Sequence, residues 1–552
     1  MHWRNHVLKD LTDQEILTQG IGISVNMVDL LDLPVEIMQA ILACLPADSL
    51  LDLFPTCRWL NYLSTSALLE HHGIRDPTNC TFDLDNKTTG PPLKADALSA
   101  LLAGLHIKQM KFLRCNLKTS PYWGRRRGRP FAWPASQPLR RLHRLIQRLT
   151  SIDDVELSFN MKNERQISLD DAFLKSGIDI LQNLLNMIIT KSCKTLHIIN
   201  LGSFFGERYI FNQPDSITQR SDRHNDSPDW QYKRDDSKGT RLFLTCSPAA
   251  LQNVALTRMQ IDAMSLFTPP CSNWTFAMLK QSRIKTLMLS LTWPKLGYTP
   301  AERSLILSRL VVAIQASVTS LCILGVTHIL EALGFIAQLP LVDALNFIPW
   351  TWKAELSDEV TTAPFPIVLN MKTICAPAEM LSFMFSRPLT IPRLRRVFVA
   401  FSINKEGMFD ITTTATSIAR LRDSVGPNIG LFPMVRVVSV PPLMESLCNG
   451  IRPICPIWEQ EFSKFTTLGL WGQMTLLDGP NTFRIILGLL TLFPGIDQLK
   501  IQLGPSPKVN PTPIHLKPWM VTAILNRSPN ITSIFFNGVA QNENKAPTTA
   551  RC

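Results

Sequence analysis

Side chains that support catalysis occur in this sequence without the spacing that catalysis or metal binding requires. The histidines are dispersed, and the adjacent pair His71 and His72 would point to different sides of a helix, so the two could not share a metal. The cysteines form no C-x-x-C pair, and Cys448 and Cys455, the closest two, have no further ligand beside them. The segment 20–22 lacks the third glycine of a dinucleotide loop. We therefore predict a non-enzymatic protein without a catalytic residue, metal or cofactor.

One strongly basic segment, residues 124–130, could bind an anionic partner through Arg125, Arg126, Arg127 and Arg129. Its Arg-Gly-Arg-Pro core resembles an AT-hook, which inserts arginines into a narrow A·T minor groove. The motif occurs once, and the following Phe-Ala-Trp-Pro supplies no second basic flank. The alternatives are a solvated basic loop, a contact for an acidic protein and a nuclear-localisation signal. The net charge of +12 is spread over the chain and does not choose among them.

Composition indicates a chain that folds over most of its length. Hydrophobic residues make up 45% of the 552 residues and charged residues 18%, whereas disordered chains are poorer in the former and richer in the latter. No secretory signal and no charge-free apolar run of about 18 residues is present. We therefore expect a protein without membrane association, in the cytoplasm, the nucleus or both. The length predicts several units or one long repeat array.

The clearest local pattern lies between residues 33 and 70 and predicts three short helices. The first opens with Pro34, which suits a first helical turn, and ends before Pro46. Within it, Ile37, Ile41 and Leu45 recur at four-residue steps and form an apolar stripe. A second helix follows a cap at Asp48 or Ser49, and a third covers residues 58–70. A helical unit with so small a hydrophobic core is only marginally stable alone and is expected to be stabilised by a partner.

This segment resembles an F-box. The resemblance spans the opening Leu33-Pro34, the hydrophobic ladder and the closing Cys57-Arg58-Trp59-Leu60, and covers less than a tenth of the chain. It implies that the segment binds a Skp-type adaptor and, through it, a cullin–RING ubiquitin ligase. The residues implied in adaptor binding are Leu33, Pro34, Ile37, Ile41, Leu45, Leu50, Leu53, Cys57, Trp59 and Leu60. Pro55 departs from the family pattern and is expected to shorten or kink a helix.

The remaining chain alternates strand-like and helix-like segments. The strand-like segments are 155–157, 196–198, 254–256, 287–289, 321–323, 345–347, 397–399, 468–470, 499–501 and 534–536, with weaker ones at 374–376 and 437–439. Helices are predicted at 301–318, 329–339, 378–387, 412–424, 481–493 and 518–527. One strand and one helix in about 31 residues indicate a curved α/β solenoid. The region resembles degenerate leucine-rich repeats, although regular repeat units are absent. The alternative is an irregular domain with a parallel sheet.

These predictions combine into an α/β fold class with a small helical module at one end. Residues 1–27 form an extension, 28–75 the F-box, 76–540 the solenoid with loops at 118–138 and 211–241, and 541–552 a disordered tail. The predicted function is substrate recognition for an SCF-type (Skp–cullin–F-box) ligase, with an unidentified protein bound by the solenoid. The alternatives are an F-box scaffold outside any ligase and a chromatin-associated protein that uses the arginine-rich loop.

Overall fold

The structure is a computed structural model, and its described residues fall into two compact units. Of the described residues, 33–75 and 96–106 belong to the first unit, and 76–85 and those from 107 onward belong to the second. The described residues are 33–85, 96–119, 136–161, 171–201, 209–211, 230–232, 243–262, 264–291, 299–347, 367–387, 389–403, 411–425, 429–437, 456–473, 480–504 and 515–541.

The first unit, which we call the N-terminal helical unit, contains four helices among its described residues. They are α1 (Val35–Ala43), α2 (Ala47–Leu53), α3 (Arg58–His71) and α4 (Ala97–Ala103). The three predicted helices are therefore confirmed, with prolines at positions 34 and 46 serving as the N-caps of α1 and α2. The predicted side-chain cap at Asp48 or Ser49 is wrong, because α2 begins one residue after Pro46. Pro55 lies in the turn between α2 and α3 and kinks neither helix.

The fourth helix was not expected in this unit, because the sequence interpretation assigned residues after 75 to the solenoid. A buried asparagine explains the assignment. Asn61 donates hydrogen bonds from Nδ2 to the carbonyl oxygens of Phe54 at 3.2 Å and Ala103 at 2.9 Å. Its Oδ1 accepts the backbone N–H of Leu105 at 3.0 Å. One side chain on α3 thus ties the end of α4 to the end of α2.

The second unit, the solenoid, is built on a parallel sheet. Its strands, with two small strand pairs beside them, are β1 (Asn79–Asp85), β2 (Gln109–Thr119), β3 (Ser151–Met161), β4 (Thr195–Ile199), β5 (Tyr209–Phe211), β6 (Trp230–Tyr232), β7 (Arg258–Ile261), β8 (Thr286–Leu291), β9 (Ser320–Val326), β10 (Ala344–Phe347), β11 (Ile367–Val368), β12 (Thr373–Pro377), β13 (Leu389–Thr390), β14 (Arg396–Ile403), β15 (Gly430–Val437), β16 (Thr467–Gln473), β17 (Gln498–Gly504), β18 (Ser533–Phe536) and β19 (Val539–Ala540).

Fifteen of these strands form one sheet in the order in which they occur along the chain. All described pairs in it are parallel except the last, in which β18 and β19 form an antiparallel hairpin. The hairpin turn uses Asn537 and Gly538, whose positive φ angles of 48° and 85° are those of a tight two-residue turn. β11 pairs with β13 and β5 with β6 outside the main sheet. Sequential parallel order, with each strand beside the next, defines a solenoid.

Helices connect most neighbouring strands. They are α5 (Ser136–Arg148), α6 (Asp171–Thr190), α7 (Pro248–Gln252), α8 (Ser272–Gln281), α9 (Pro300–Ile314), α10 (Ile329–Ala337), α11 (Ala378–Phe385), α12 (Ile411–Val425), α13 (Pro456–Phe462), α14 (Pro480–Leu492) and α15 (Pro518–Arg527), with a 3₁₀ turn at Met264–Phe267. Parallel crossovers are right-handed, so connections that always advance in one direction place the helices on the same sheet face. In the part of the chain that the structure describes, these helices leave the other sheet face uncovered.

Alternation of side chains along each strand builds the core. In β8, Leu287, Leu289 and Leu291 are buried, while the intervening residues are half-exposed. Burying one such leucine stabilises the fold by about 1.5–3 kcal/mol, and the pattern repeats from strand to strand. Because successive side chains of a strand point to opposite faces of the sheet, one set of side chains lies in the core and the alternate set faces away from it.

Several sequence expectations about the solenoid are corrected by the structure. The strand expected at 254–256 lies at Arg258–Ile261. The residue before it, Thr257, donates its N–H to the carbonyl oxygen of Lys194, the residue just before β4, and this bond fixes the register. The strand expected at 437–439 ends at Val437. The loop expected to be disordered at 211–241 carries a short antiparallel pair, β5 with β6. The loop expected at 118–138 overlaps the end of β2 and the start of α5.

Candidate protein-docking surfaces

Helix α1 divides its apolar side chains between two faces. Met38 and Leu42 point inward and are each 1% exposed. Ile37 and Ile41, one turn apart on the solvent-facing side of the helix, are 49% and 40% exposed. Pro34 is exposed at the start of the same face, and Leu33 and Leu45 continue it at four-residue steps, each half-exposed. We call these five residues, Leu33, Pro34, Ile37, Ile41 and Leu45, the α1 ridge.

The other predicted adaptor-binding residues lie elsewhere in the N-terminal helical unit. Leu50 and Leu60 are buried, so they hold α2 and α3 together and are not available for contact with a partner. Leu53 and Trp59 are half-buried. Cys57 is also half-buried and caps α3, since its Sγ accepts the N–H of Leu60 at 3.4 Å. The structure therefore gathers half of the predicted set on one face and uses the remainder inside or beside the core.

Three exposed apolar residues of this unit were not predicted. Val35 is exposed on α1. Tyr62 is exposed on α3, with its ring edge-on to the ring of His106 at a centroid distance of 4.7 Å. Leu105 is also exposed, just after α4. The one signal in the sequence was the polar Asn61 inside an otherwise apolar stretch of α3, because a buried asparagine needs partners that anchor a neighbouring segment.

A row of polar side chains crosses the helix-free face of the solenoid near its start. Arg114, Glu156, His197 and Gln260 are direct neighbours in the registers of β2, β3, β4 and β7. Arg114 Nε donates to Glu156 Oε1 at 2.7 Å, and His197 Nδ1 lies 4.0 Å from Glu156 Oε2. Glu156 is nearly buried although it belongs to the outward-facing row. A paired buried carboxylate fixes the orientation of both neighbours. We call these four residues the polar row.

Burial perturbs two acid–base groups at the polar row. The pKa of His197 is lowered mainly by desolvation, against the opposing influence of the carboxylates Glu156 and Asp154. The pKa of Asp262 is raised by desolvation, although Gln260 donates from Nε2 to its Oδ1 at 2.9 Å. The histidine is therefore biased towards its neutral form and the aspartate towards its protonated form. Neither has the arrangement of a nucleophile and its base.

The sequence could not have shown the polar row, because its members come from four strands separated by long helical connections.

The basic loop residues Arg125, Arg126, Arg127 and Arg129 lie outside the described residues, so DNA binding by that loop stays a prediction. Within the described parts of the chain, no group of three or more His, Cys, Asp or Glu residues could hold a metal. No described helix combines the length and apolar character that crossing a bilayer requires.

Most of the described cysteines belong to the core. Burial raises the pKa of the Cys80, Cys193 and Cys375 thiols to about 12 in each case. Such thiols are protonated at neutral pH and make poor nucleophiles. Cys44, at the end of α1, is exposed. The core cysteines therefore act as small apolar side chains.

These features define the class of the larger unit as a parallel β/α solenoid. At the level of sequence the chain matches no known protein family and no curated protein. Among solved structures, the leucine-rich repeat-containing protein LegL7 from Legionella pneumophila is similar over 81% of this chain and 98% of that chain, with 12% identity and a TM-score of 0.32. A likeness of that degree carries no weight for function, and the class follows from the strand order.

Proposed function

We propose that this protein is a substrate-binding adaptor of an SCF-type ubiquitin ligase, with an F-box in the N-terminal helical unit and a protein-binding, leucine-rich-repeat-like solenoid. The observation that carries the proposal is the α1 ridge. Three helices in the order expected for an F-box leave Ile37 and Ile41 largely exposed, and both belong to the residues that the family resemblance assigns to the Skp-type adaptor. Exposed aliphatic side chains on one helix face favour a protein partner.

The proposed mechanism is proximity. The α1 ridge fixes the N-terminal helical unit on the adaptor, and the solenoid holds a protein substrate. A ubiquitin-conjugating enzyme bound elsewhere in the ligase then meets substrate lysines at a high local concentration. No step requires a catalytic group of this chain.

The area of the ridge sets the size of the expected effect. Burying a whole isoleucine side chain is worth about 1.5–3 kcal/mol. Ile37 and Ile41 are 49% and 40% exposed, so covering the exposed parts would contribute about 1.3–2.7 kcal/mol together. Truncating both to alanine should then weaken adaptor binding about tenfold or more. Folding should change by less than about 1 kcal/mol, since alanine favours an exposed helix.

The test compares co-purification of a Skp-type adaptor with wild type, Ile37→Ala/Ile41→Ala and Leu33→Ala/Pro34→Ala. Val312→Ala is the matched control, because Val312 is an exposed aliphatic residue on solenoid helix α9. Loss of adaptor in both ridge variants with retention in the control supports the proposal. Equal recovery of all four proteins would refute it. Detecting a cullin in the same complex separates a ligase subunit from a scaffold that uses the adaptor alone.

A further inference from the structure

The residues just before the strands form a hydrogen-bonded row along one edge of the solenoid. From β4 to β14 this row is Lys194, Thr257, Lys285, Thr319, Asp343, Lys372 and Arg395. Each donates its N–H to the carbonyl oxygen of the residue before it in the row, at 2.8–3.0 Å from Thr257 onward. Neighbouring strands lie about 4.8 Å apart, so the row spaces its side chains at regular steps. This edge, where the strands begin, presents one side chain per repeat.

Cations dominate this edge in two groups. The first group is Arg258, Arg283 and Lys285, where β7 and β8 begin, and the second is Arg393, Arg395 and Arg396, where β14 begins. All six side chains are exposed, and within the described residues none of them forms an ion pair. We call these six residues the basic edge.

Two carboxylates at or beside this row already pair with lysines of the row. Asp343 Oδ2 accepts from Lys372 Nζ at 3.0 Å, and Asp153, one strand before the row, accepts from Lys194 at 2.9 Å. Between β4 and β14, Asp343 is the one acidic residue of the described edge. The six remaining cations therefore present an uncompensated positive potential along the edge, which attracts a negatively charged partner.

We infer that the basic edge binds an extended acidic peptide segment of the protein that the solenoid recognises. This inference rests on the proposed protein-binding role of the solenoid and names the chemistry of its partner. Lys285 and Arg395 lie four strand steps apart in the row, or about 19 Å. An extended peptide covers that distance in about six residues, so two acidic clusters at that separation would meet both groups. Five of the six cations are arginines, whose planar guanidinium groups bind carboxylates through two parallel hydrogen bonds.

Nucleic acid fits this edge less well. Sites for single strands combine cations with aromatic side chains on which bases stack, and the described residues of the row and of the basic edge include no aromatic residue. Duplex DNA is read by a helix or a strand ribbon that enters a groove, whereas this edge consists of the turns before strands. Charge without stacking groups or a groove-reading element favours a peptide.

The test measures fluorescence anisotropy of the full-length protein with a labelled peptide of about twelve residues that carries two glutamate clusters about six residues apart. The variants are Arg258→Ser/Arg283→Ser/Lys285→Ser and Arg393→Ser/Arg395→Ser/Arg396→Ser. Each removes three exposed contacts and should weaken binding about tenfold. The control, Lys500→Ser/Lys517→Ser/Arg527→Ser, removes the same charge from exposed positions near the end of the solenoid and should change binding less than about twofold.

Equal losses in the control and the edge variants would overturn the inference, because the protein would then respond to net charge alone. Tighter binding of a single-stranded oligonucleotide of equal charge, or no binding of the peptide, would also overturn it. Circular dichroism checks that each variant is folded, and the two groups are independent, so one unfolded variant leaves the other as a test. Adaptor co-purification should be unchanged by the edge variants. Failure of that experiment in wild type would refute the ligase role and leave peptide binding intact.

Discussion

A single buried tryptophan should anchor the segment that precedes α7. Trp274 on α8 is fully buried, and its Nε1–H donates to Asn186 Oδ1 on α6 at 3.0 Å. Asn186 Nδ2 in turn donates to the carbonyl oxygen of Thr245 at 3.0 Å. Gln182 Oε1 accepts the N–H of Thr245 at 2.7 Å. These contacts anchor the segment before α7 to α6.

The perturbation is Trp274→Phe. It leaves Asn186 Oδ1 without its buried donor, which costs about 1–3 kcal/mol. It also deletes part of the indole ring, and the lost contacts and residual cavity cost about 1–2 kcal/mol more. The free energy of unfolding should therefore fall by about 2–5 kcal/mol. Trp519→Phe is the control, because Trp519 is 46% exposed and its replacement should cost less than about 0.5 kcal/mol.

Urea unfolding followed by circular dichroism measures both variants, and a double-mutant cycle with Asn186→Leu isolates the shared hydrogen bond. The two single changes remove the same contact, so their effects should fail to add by about 0.5–3 kcal/mol. Additivity within about 0.3 kcal/mol, or equal unfolding midpoints for Trp274→Phe and Trp519→Phe, would refute the reasoning.

Three further predictions follow from single residues. Gly495→Ala should destabilise the solenoid by about 1–3 kcal/mol, because a Cβ there would overlap the backbone carbonyl of residue 463. Its comparison is Gly334→Ala in α10, where a Cβ meets no atom within 4 Å, so that this change should stabilise the protein by about 0.5–1 kcal/mol. Thermal unfolding of the two variants measures both effects. Asp262→Asn should stabilise the protein by up to about 0.5 kcal/mol at neutral pH, because the raised pKa of Asp262 in the folded state means that its ionisation opposes folding. This gain should disappear as the pH falls towards 3.8. A gain that persists at acid pH would contradict a raised pKa for Asp262. The pKa of His197 is lower in the folded state than its unfolded value of 6.5, so the unfolded state takes up a proton first and the protein loses stability as the pH drops through 6.5. His197→Gln should reduce this loss by up to about 1 kcal/mol. Urea unfolding midpoints measured at several pH values test this prediction.

Much of the solenoid could be predicted from local patterns. Strands centred on Leu287–Leu289 and Leu499–Ile501 are confirmed within β8 and β17, and the helix predicted at 518–527 matches α15. These segments are apolar and short, or have a clear helical period, so their own residues determine them. The repeat order follows from strand–helix alternation.

Other elements needed information that lies outside the segment. β1 and β2 were missed because polar residues alternate with Cys80, Phe82 and Leu84 in the first and with a similar set in the second, which dilutes the apolar signal. The strand expected at 254–256 was misplaced because a hydrogen bond between Thr257 and Lys194, not local composition, fixes its register.

The docking surfaces also differ in whether they could be predicted from the sequence. The α1 ridge was predictable, since Ile37 and Ile41 lie one turn apart on a single helix. The polar row and the basic edge were not, because each draws its members from strands that are distant in sequence. Only the register of the sheet brings such residues together.

The short hairpin of β18 and β19 bears on how these molecules behave at high concentration. A parallel sheet that ended at β18 would expose a full row of unpaired amide groups, onto which the first strand of another molecule could add. β19 covers that row with only two residues, Val539 and Ala540, which run in the opposite direction. A strand from another molecule would therefore meet an edge strand that is short and runs antiparallel to the rest of the sheet. The reversal thus discourages fibre growth, and deleting residues 537–541 should promote self-association.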